Sequence, residues 1–355
     1  MTRSAYSTIR LNHLQHNLQT IRNTAANSKL MAVIKADAYG HGMLRVAEAL
    51  KDADAYAVAC VNEGLLLREA NLTLPIVCLQ GFQNIDELKH ASQQGIELVV
   101  HSDHQLRLLE TTALTSSVDV WLKLDTGMGR LGIDPSEAAK YVTALQNMPN
   151  VNQVRLMTHF ANADSQNDID VQRQLDTFQS STQSYTQLER SCANSAAVLN
   201  YPQSHLDWVR PGLVLYGVSP FEDGKARNLK PVMSLHAPLI SIRNHHKNDT
   251  IGYGSTYTCP EDMRIGIVAA GYGDGYPRSL SQTTNVYLNG QQAPIVGRVS
   301  MDMITIDLRE IEADTGDQVE LWGEHIDVGH VARSANTLSY EPLCAMSGRI
   351  DRRYL

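Results

Sequence analysis

No stretch of this 355-residue chain approaches the ~20 consecutive apolar residues that a membrane-spanning helix needs. The opening Met1-Thr-Arg-Ser-Ala-Tyr runs straight into Ser7-Thr-Ile-Arg without the apolar core of a secretory signal, so a cytoplasmic protein with no membrane partner is expected. Cysteine is sparse: Cys60, Cys78, Cys192, Cys259 and Cys344 stand far apart with no C-x-x-C pair, the pattern of reduced thiols. The chain also lacks H-E-x-x-H and zinc-type spacings, a P-loop and a G-x-S-x-G elbow, which argues against metalloprotease, nucleotide-hydrolase and serine-hydrolase chemistry and against a bound metal. His245-His246 reads as a solvated turn rather than a metal pair. There is no excess of basic residues; the net charge of -8 argues against nucleic acid or an anionic membrane as the main partner. Internal repeats, low-complexity tracts and long linkers are absent as well.

What is present is a regular alternation. Leu11, Leu14, Leu18 and Ile21 recur at helical spacing ahead of the first apolar run. Apolar runs then return at 31–34, 56–59, 75–79, 97–100, 118–124, 154–158, 191–194 and 206–210, with helix-like segments such as 62–70, 103–114, 136–148 and 168–188 between them. Eight strand candidates alternating with helices predict an α/β fold, an N-terminal (β/α)8 TIM-type barrel. An open doubly wound sheet is the alternative, but no G-x-G-x-x-G follows the first strand. After about Lys230 the pattern changes to short runs at 235–242, 265–269, 285–288, 294–299, 303–308 and 318–321, separated by Gly, Asn, Asp and Pro turns, which predicts a mainly-β C-terminal domain. The expected division is 1–230 and 231–355, with the first strand open to either part. Thr337-Leu-Ser-Tyr340-Glu341 opens a short final helix, and the chain closes with Arg349-Ile-Asp-Arg-Arg-Tyr354-Leu.

Lys35 closes the run Met31-Ala-Val-Ile and leads into Ala36-Asp-Ala-Tyr39-Gly40-His-Gly42. That places a lone ammonium at the C-terminal end of a strand, where a barrel carries its chemistry. It is either a snorkelling surface lysine or an amine able to form a Schiff base with a carbonyl cofactor. Other segments offer anion donors. Asn194-Ser195-Ala-Ala ends a strand candidate and opens a helix, so the Ser195 hydroxyl and nearby amides can bind an anion. Gly212 and Leu213, after Arg210-Pro211, can bring backbone N–H groups close, and Tyr39 and Tyr354 can add hydroxyls. An N-cap serine and a loop glycine are equally the ordinary structural reading of these positions. His159 ends the sixth strand candidate and Arg210 the eighth. Arg130, in Lys123-Leu-Asp-Thr126-Gly-Met-Gly129-Arg130-Leu-Gly132, suits a carboxylate by bidentate pairing, and Lys123 repels it if both are buried cations.

Ala32-Val-Ile-Lys35-Ala-Asp-Ala-Tyr39-Gly-His-Gly42 resembles the pyridoxal-phosphate attachment segment of alanine racemases, and further matches extend the resemblance over nearly the whole chain. The resemblance implies a pyridoxal 5'-phosphate-dependent isomerase that interconverts L- and D-alanine, for peptidoglycan synthesis or D-alanine catabolism, as a homodimer with shared sites. It implies that Lys35 is the Schiff-base lysine and the base acting on D-alanine. Tyr253, in Ile251-Gly-Tyr253-Gly-Ser-Thr-Tyr257, is then the base acting on L-alanine, supplied by the partner subunit. Racemisation needs two such groups, since a proton leaves one face of the α-carbon and returns to the other. His159 would link Tyr253 to Arg210, and Arg210, which keeps its protons, would donate to the pyridine nitrogen. The implied cofactor contacts are Lys35, Tyr39, Ser195, Arg210, Gly212, Leu213 and Tyr354. The implied substrate contacts are Arg130, Met301 in Gly297-Arg-Val-Ser300-Met301-Asp302, and Tyr272 in Ala270-Gly271-Tyr272-Gly-Asp-Gly-Tyr276. Lys123 is expected as N6-carboxylysine, an anion that orients Arg130. Asp351 stands where the family often has Pro, close to Tyr354. A racemase of serine or of a wider amino-acid range is the near alternative; a related decarboxylase would not need Tyr253 as partner base or Tyr272 at the entrance, and a non-catalytic pyridoxal-phosphate carrier is the distant alternative.

Overall fold

A computed structural model describes residues 4–165, 168–222, 224, 228–280 and 284–355. The chain opens with β1 (Tyr6–Ile9) and the helix Leu11–Thr24, which buries Leu14, Leu18 and Ile21. Eight parallel strands follow: β2 (Lys29–Val33), β3 (Ala55–Val58), β4 (Ile76–Cys78), β5 (Ile96–Val100), β6 (Val118–Lys123), β7 (Val151–Met157), β8 (Arg190–Ser191) and β9 (Trp208–Val209). They pair in sequence order and close into a barrel through β2–β9. Each of the eight apolar runs therefore contains a strand. Strands covered on both faces need apolar side chains at every position rather than at alternate ones. Met31, Ala32, Ala55, Ala57, Val77, Leu98, Val120 and Leu156 accordingly have almost no exposure.

Charge is divided between the two ends of the barrel. Glu97 and Asp119, near the starts of β5 and β6, and Glu189, just ahead of β8, converge on Arg155 at 3.0, 3.4 and 2.7 Å. At the strands' other ends the side chains that gather are mainly cationic: Lys35, Lys123, Arg130 and Arg210.

The rest of the chain is mainly β. It consists of β10 (Met233–His245), β11 (Thr250–Ile251), β12 (Tyr257–Thr258), β13 (Met263–Val268), β14 (Asn285–Leu288), β15 (Gln291–Pro294), β16 (Ile304–Asp307), β17 (Gln318–Trp322) and β18 (Asp351–Tyr354). The main sheet has the order β15-β14-β17-β10-β1-β18, and β13 and β16 continue from the far half of β10. β1 thus runs in this sheet, antiparallel to β10 and parallel to the last strand of the chain. The run at 294–299 is not a strand. Asn289 and Gly290, both at positive φ (49° and 87°), form a two-residue turn that sets Leu288 opposite Gln291, so the partner strand starts earlier and ends at Pro294. Among the described residues no helix is long and apolar enough to cross a membrane.

Candidate active site

The peptide after Lys35 does not turn as a right-handed helix. Ala36, Asp37, Ala38 and Tyr39 all have φ between 52° and 55°, and Gly40 follows at 80°. A left-handed turn built from non-glycine residues costs ~1–2 kcal/mol per residue, so its surroundings must hold it. They do so from several directions. Glu63 accepts the Ala36 N–H at 2.8 Å. Asp37 accepts the Met43 N–H at 2.8 Å and pairs with Arg352 of β18 at 3.0 Å. The His41 ring sits 2.9 Å from the Tyr39 carbonyl and 4.5 Å from the Tyr216 ring. The sequence signals a turn here, not its hand.

This turn aims Tyr39 across the barrel mouth. A Cβ at Gly212 would lie 2.6 Å from the Tyr39 hydroxyl, so only glycine admits the phenol there. The Gly212 N–H donates to Ser195 Oγ at 2.9 Å, so this bond and the close approach of Tyr39 bring three of the expected phosphate contacts together. Leu213 begins the 3₁₀ turn Leu213–Tyr216, whose first amides have no preceding carbonyl within the turn. Ser195 is not the N-cap of its helix. Asn194 is, accepting from the Ala197 N–H at 3.1 Å, and this leaves the Ser195 hydroxyl for Gly212. Tyr354 makes its contacts elsewhere: its hydroxyl donates to the His41 carbonyl at 3.2 Å and its ring lies under Arg45. The aromatic ring beside Tyr39 is Tyr340, with centroids 5.7 Å apart.

Arg210 is buried and its two Nη atoms are committed. Nη1 donates to Ser191 Oγ at 2.6 Å, and Nη2 to the Thr158 carbonyl at 2.6 Å, to the Cys192 carbonyl and to His159 Nδ1 at 3.3 Å. Nε–H and the second Nη1 N–H are the donors these bonds leave over. Burial pushes its pKa down to about 10, still a cation at neutral pH. Burial, and then Arg210 and the neighbouring cations, push His159 far below its ordinary range, so the ring is neutral. An Nδ1 that accepts from Arg210 puts the ring proton on Nε2.

Around Lys35 the field is positive. Burial and then Arg130 lower its pKa, and the Glu63 carboxylate and Cys344 thiol only partly offset them. Lys123 is pushed down to about 8 by burial and then by Arg210 and Arg130. Arg130 sits in a loop wound around one carboxylate: Asp125 accepts from the N–H groups of Gly127, Met128, Gly129 and Arg130 at 2.9–3.1 Å. Burial raises the Asp125 pKa, but those four donors outweigh it and hold the group below the usual carboxylate range. Gln174 fastens this loop to the next. Its Nε2 donates to Thr126 Oγ1 at 3.3 Å and to the His159 carbonyl at 3.2 Å, while its Oε1 accepts from the Ala161 N–H.

Tyr253, Tyr272 and Met301 lie in the β region with 70%, 41% and 52% exposure. Tyr253 rides a 3₁₀ turn at the tip of the β11–β12 hairpin. Among the described residues no hydrogen bond joins it to His159. Among the described residues no group of His, Cys, Asp and Glu is placed to hold a metal. Sequence reasoning did not find Glu63, Asp125, Gln174, Tyr340 or Cys344. Two of them carried a signal: Asp125 precedes Thr-Gly-Met-Gly, a side-chain-to-backbone turn, and Glu63 is three residues past the N-cap Cys60 of its helix.

The C-terminal mouth of the barrel presents an amine, an anion cradle and a neutral imidazole, and the fold is a (β/α)8 barrel followed by a mainly-β domain; comparison with known proteins supplies the class. The family model for the alanine racemase N-terminal domain matches residues 9–220, and that for the C-terminal domain matches 232–354. The chain is 49% identical over 343 residues to an alanine racemase of Nitrosococcus oceani, and 44% identical over 347 residues to a biosynthetic alanine racemase of Escherichia coli, covering 96% of each sequence in both cases. The crystal structure of a biosynthetic alanine racemase from Pseudomonas aeruginosa is similar over the full length of both chains, with TM-score 0.95 and 41% identity. This chain belongs to the alanine racemase family, and alanine racemisation is the activity that membership implies.

Proposed function

We propose that the protein interconverts L- and D-alanine with pyridoxal 5'-phosphate bound in the barrel mouth, by a two-base mechanism using Lys35 and the partner's Tyr253. The observation that carries this is the buried Lys35 amine, lowered in pKa and set at the rim of the Tyr39–Ser195–Gly212 cradle. When bound, pyridoxal phosphate supplies an electron sink that makes the substrate's α-proton acidic.

The chain's own residues fit that group. The Lys35 amine gives the point of attachment. Tyr39, Ser195, Gly212 and the Leu213 amide would hold the phosphate. Arg210 would face the ring nitrogen through Nε–H, and because it keeps its proton it leaves that nitrogen unprotonated. Lys35 takes or returns the proton on one face of the substrate, and the Tyr253 hydroxyl of the partner subunit does so on the other. A phenol acts as a base only when a neighbour stabilises its anion, and the His159 Nε2–H, backed by Arg210, is suited to that. Arg130 and the Met301 backbone would orient the substrate carboxylate, and Tyr272 would restrict its side chain. Lys123, whose pKa burial and then Arg210 and Arg130 push down to about 8, offers a free amine that attacks the carbon of carbon dioxide and gives up a proton to solvent; the resulting carbamate would counter the cations beside it and orient Arg130. The exposed tyrosines and Met301 fit a homodimer with shared sites, placed in the cytoplasm and supplying or degrading D-alanine.

Tyr340, its ring tilted against that of Tyr39, closes the phosphate side of the mouth in place of Tyr354. Tyr340→Phe should weaken cofactor affinity about tenfold, as loss of a hydrogen bond to a charged group does, while Tyr354→Phe leaves it unchanged; a fluorescence titration of the cofactor-free variants measures both.

The function itself is tested by α-proton exchange in heavy water over a panel of amino acids, with pyridoxal phosphate added. Alanine should exchange fastest in both configurations. Faster serine or lysine indicates a broad racemase, and a yellow protein that turns over nothing indicates a carrier.

A further inference from the structure

Glu63, on the helix Val61–Glu69, lies beside Lys35 and has no part in the mechanism above. Its carboxylate takes two backbone bonds at once: Oε1 accepts the Ala36 N–H at 2.8 Å and Oε2 the Ala59 N–H at 2.7 Å. Ala36 N belongs to the peptide unit that leaves Lys35, and Ala59 directly follows β3. One side chain therefore ties the ends of two neighbouring barrel strands together and supplies the acceptor for the first amide of the left-handed turn. The other titratable groups that face Lys35 are Arg130 in the loop after β6, Lys123 on β6, His159 after β7 and the Cys344 thiol on the helix Tyr340–Cys344. In this set Glu63 is the carboxylate.

We propose that Glu63 is a positioning residue for Lys35: it pins the peptide from which the lysine side chain springs and provides the negative charge facing the amine in a mouth lined by Arg130 and Lys123. The proposal rests on the reading of Lys35 as the attachment lysine. Two effects follow from it, and they separate. Removing the charge leaves Arg130 opposed by no carboxylate facing the amine, so the Lys35 proton comes off at lower pH. Removing the span between the two amides lets the turn shift, and a displacement of about 1 Å at a reacting group costs up to ~10²-fold in rate.

The test uses cofactor-free wild-type, Glu63→Gln and Glu63→Asp proteins. Each is mixed with pyridoxal phosphate across a pH series, trapped with borohydride and digested, and the labelled Lys35 peptide is quantified by mass spectrometry; kcat for alanine is measured alongside. In Glu63→Gln the pH of half-maximal labelling should fall, and kcat should drop ~10–100-fold. Glu63→Asp keeps the charge but is too short to span both amides, so its labelling midpoint should return to the wild-type pH while kcat stays low. Label on a different lysine in the wild type overturns the reading of Lys35. Label on Lys35 with the same midpoint in all three proteins overturns the Glu63 proposal alone. Should Glu63→Gln not fold, an unchanged kcat in Glu63→Asp overturns it too.

Discussion

Lys35→Ala will carry no borohydride-trapped cofactor and will racemise alanine at least ~10⁴-fold more slowly than the wild type. The size follows from the residue's position. Its amine is the group that both attaches the cofactor and handles a proton on one face of the substrate, and no other described lysine but Lys123 lies near the mouth. The loss should be chemical and not a folding defect. The folded-state pKa of Lys35 lies below the unfolded value near 10.5. In the window between the two the unfolded chain binds the extra proton, so the cofactor-free protein gains stability as pH rises through it, and below the window it bears the cost of a desolvated cation beside Arg130. Alanine at this position removes that cost. Thermal melts of the cofactor-free proteins at neutral pH should therefore show Lys35→Ala melting no lower than wild type. A lower melting temperature together with lost activity would mean that the lysine serves the fold.

The barrel was legible in the sequence for a physical reason: strands such as Met31–Val33 and Val120–Leu122 are covered on both faces, and parallel pairing leaves no polar side to interrupt the apolar run. Lys35 stood out for the same reason, as the charge that ends such a run. The left-handed turn after it was not legible. Ala36, Asp37, Ala38 and Tyr39 have no intrinsic preference for positive φ, and what holds them there comes from Glu63, Asp37 and Arg352, the last more than three hundred positions away. β18 was missed because it is short and partly polar, and its pairing with β1, Ile9 opposite Tyr354, joins the two ends of the chain. That register also explains the placement of Tyr354: it brings the hydroxyl onto the His41 carbonyl, while Tyr340, which no local pattern marks, meets Tyr39. In the β region the sequence did carry the decisive signal. Asn289-Gly290 is a strong two-residue hairpin turn, and it outweighs the apolar run that follows.

Tyr253→Phe should keep the cofactor and lose α-proton exchange from L-alanine by ~10²–10⁴-fold, the range expected for one acid–base group, while exchange from D-alanine, served by Lys35, persists. Equal loss from both enantiomers would contradict the assignment of one base to each face. The same variant tests where the tyrosine works. It projects from the β11–β12 hairpin with most of its surface open, where a second subunit can reach it. If the partner's barrel receives it, Lys35→Ala and Tyr253→Phe protomers should complement each other. In a mixed dimer one site carries both substitutions and the other neither, so random reassociation of equal amounts should restore about a quarter of wild-type activity. If each site is complete within one chain, every site in the mixture retains one lesion and the activity stays at the level of the separate variants.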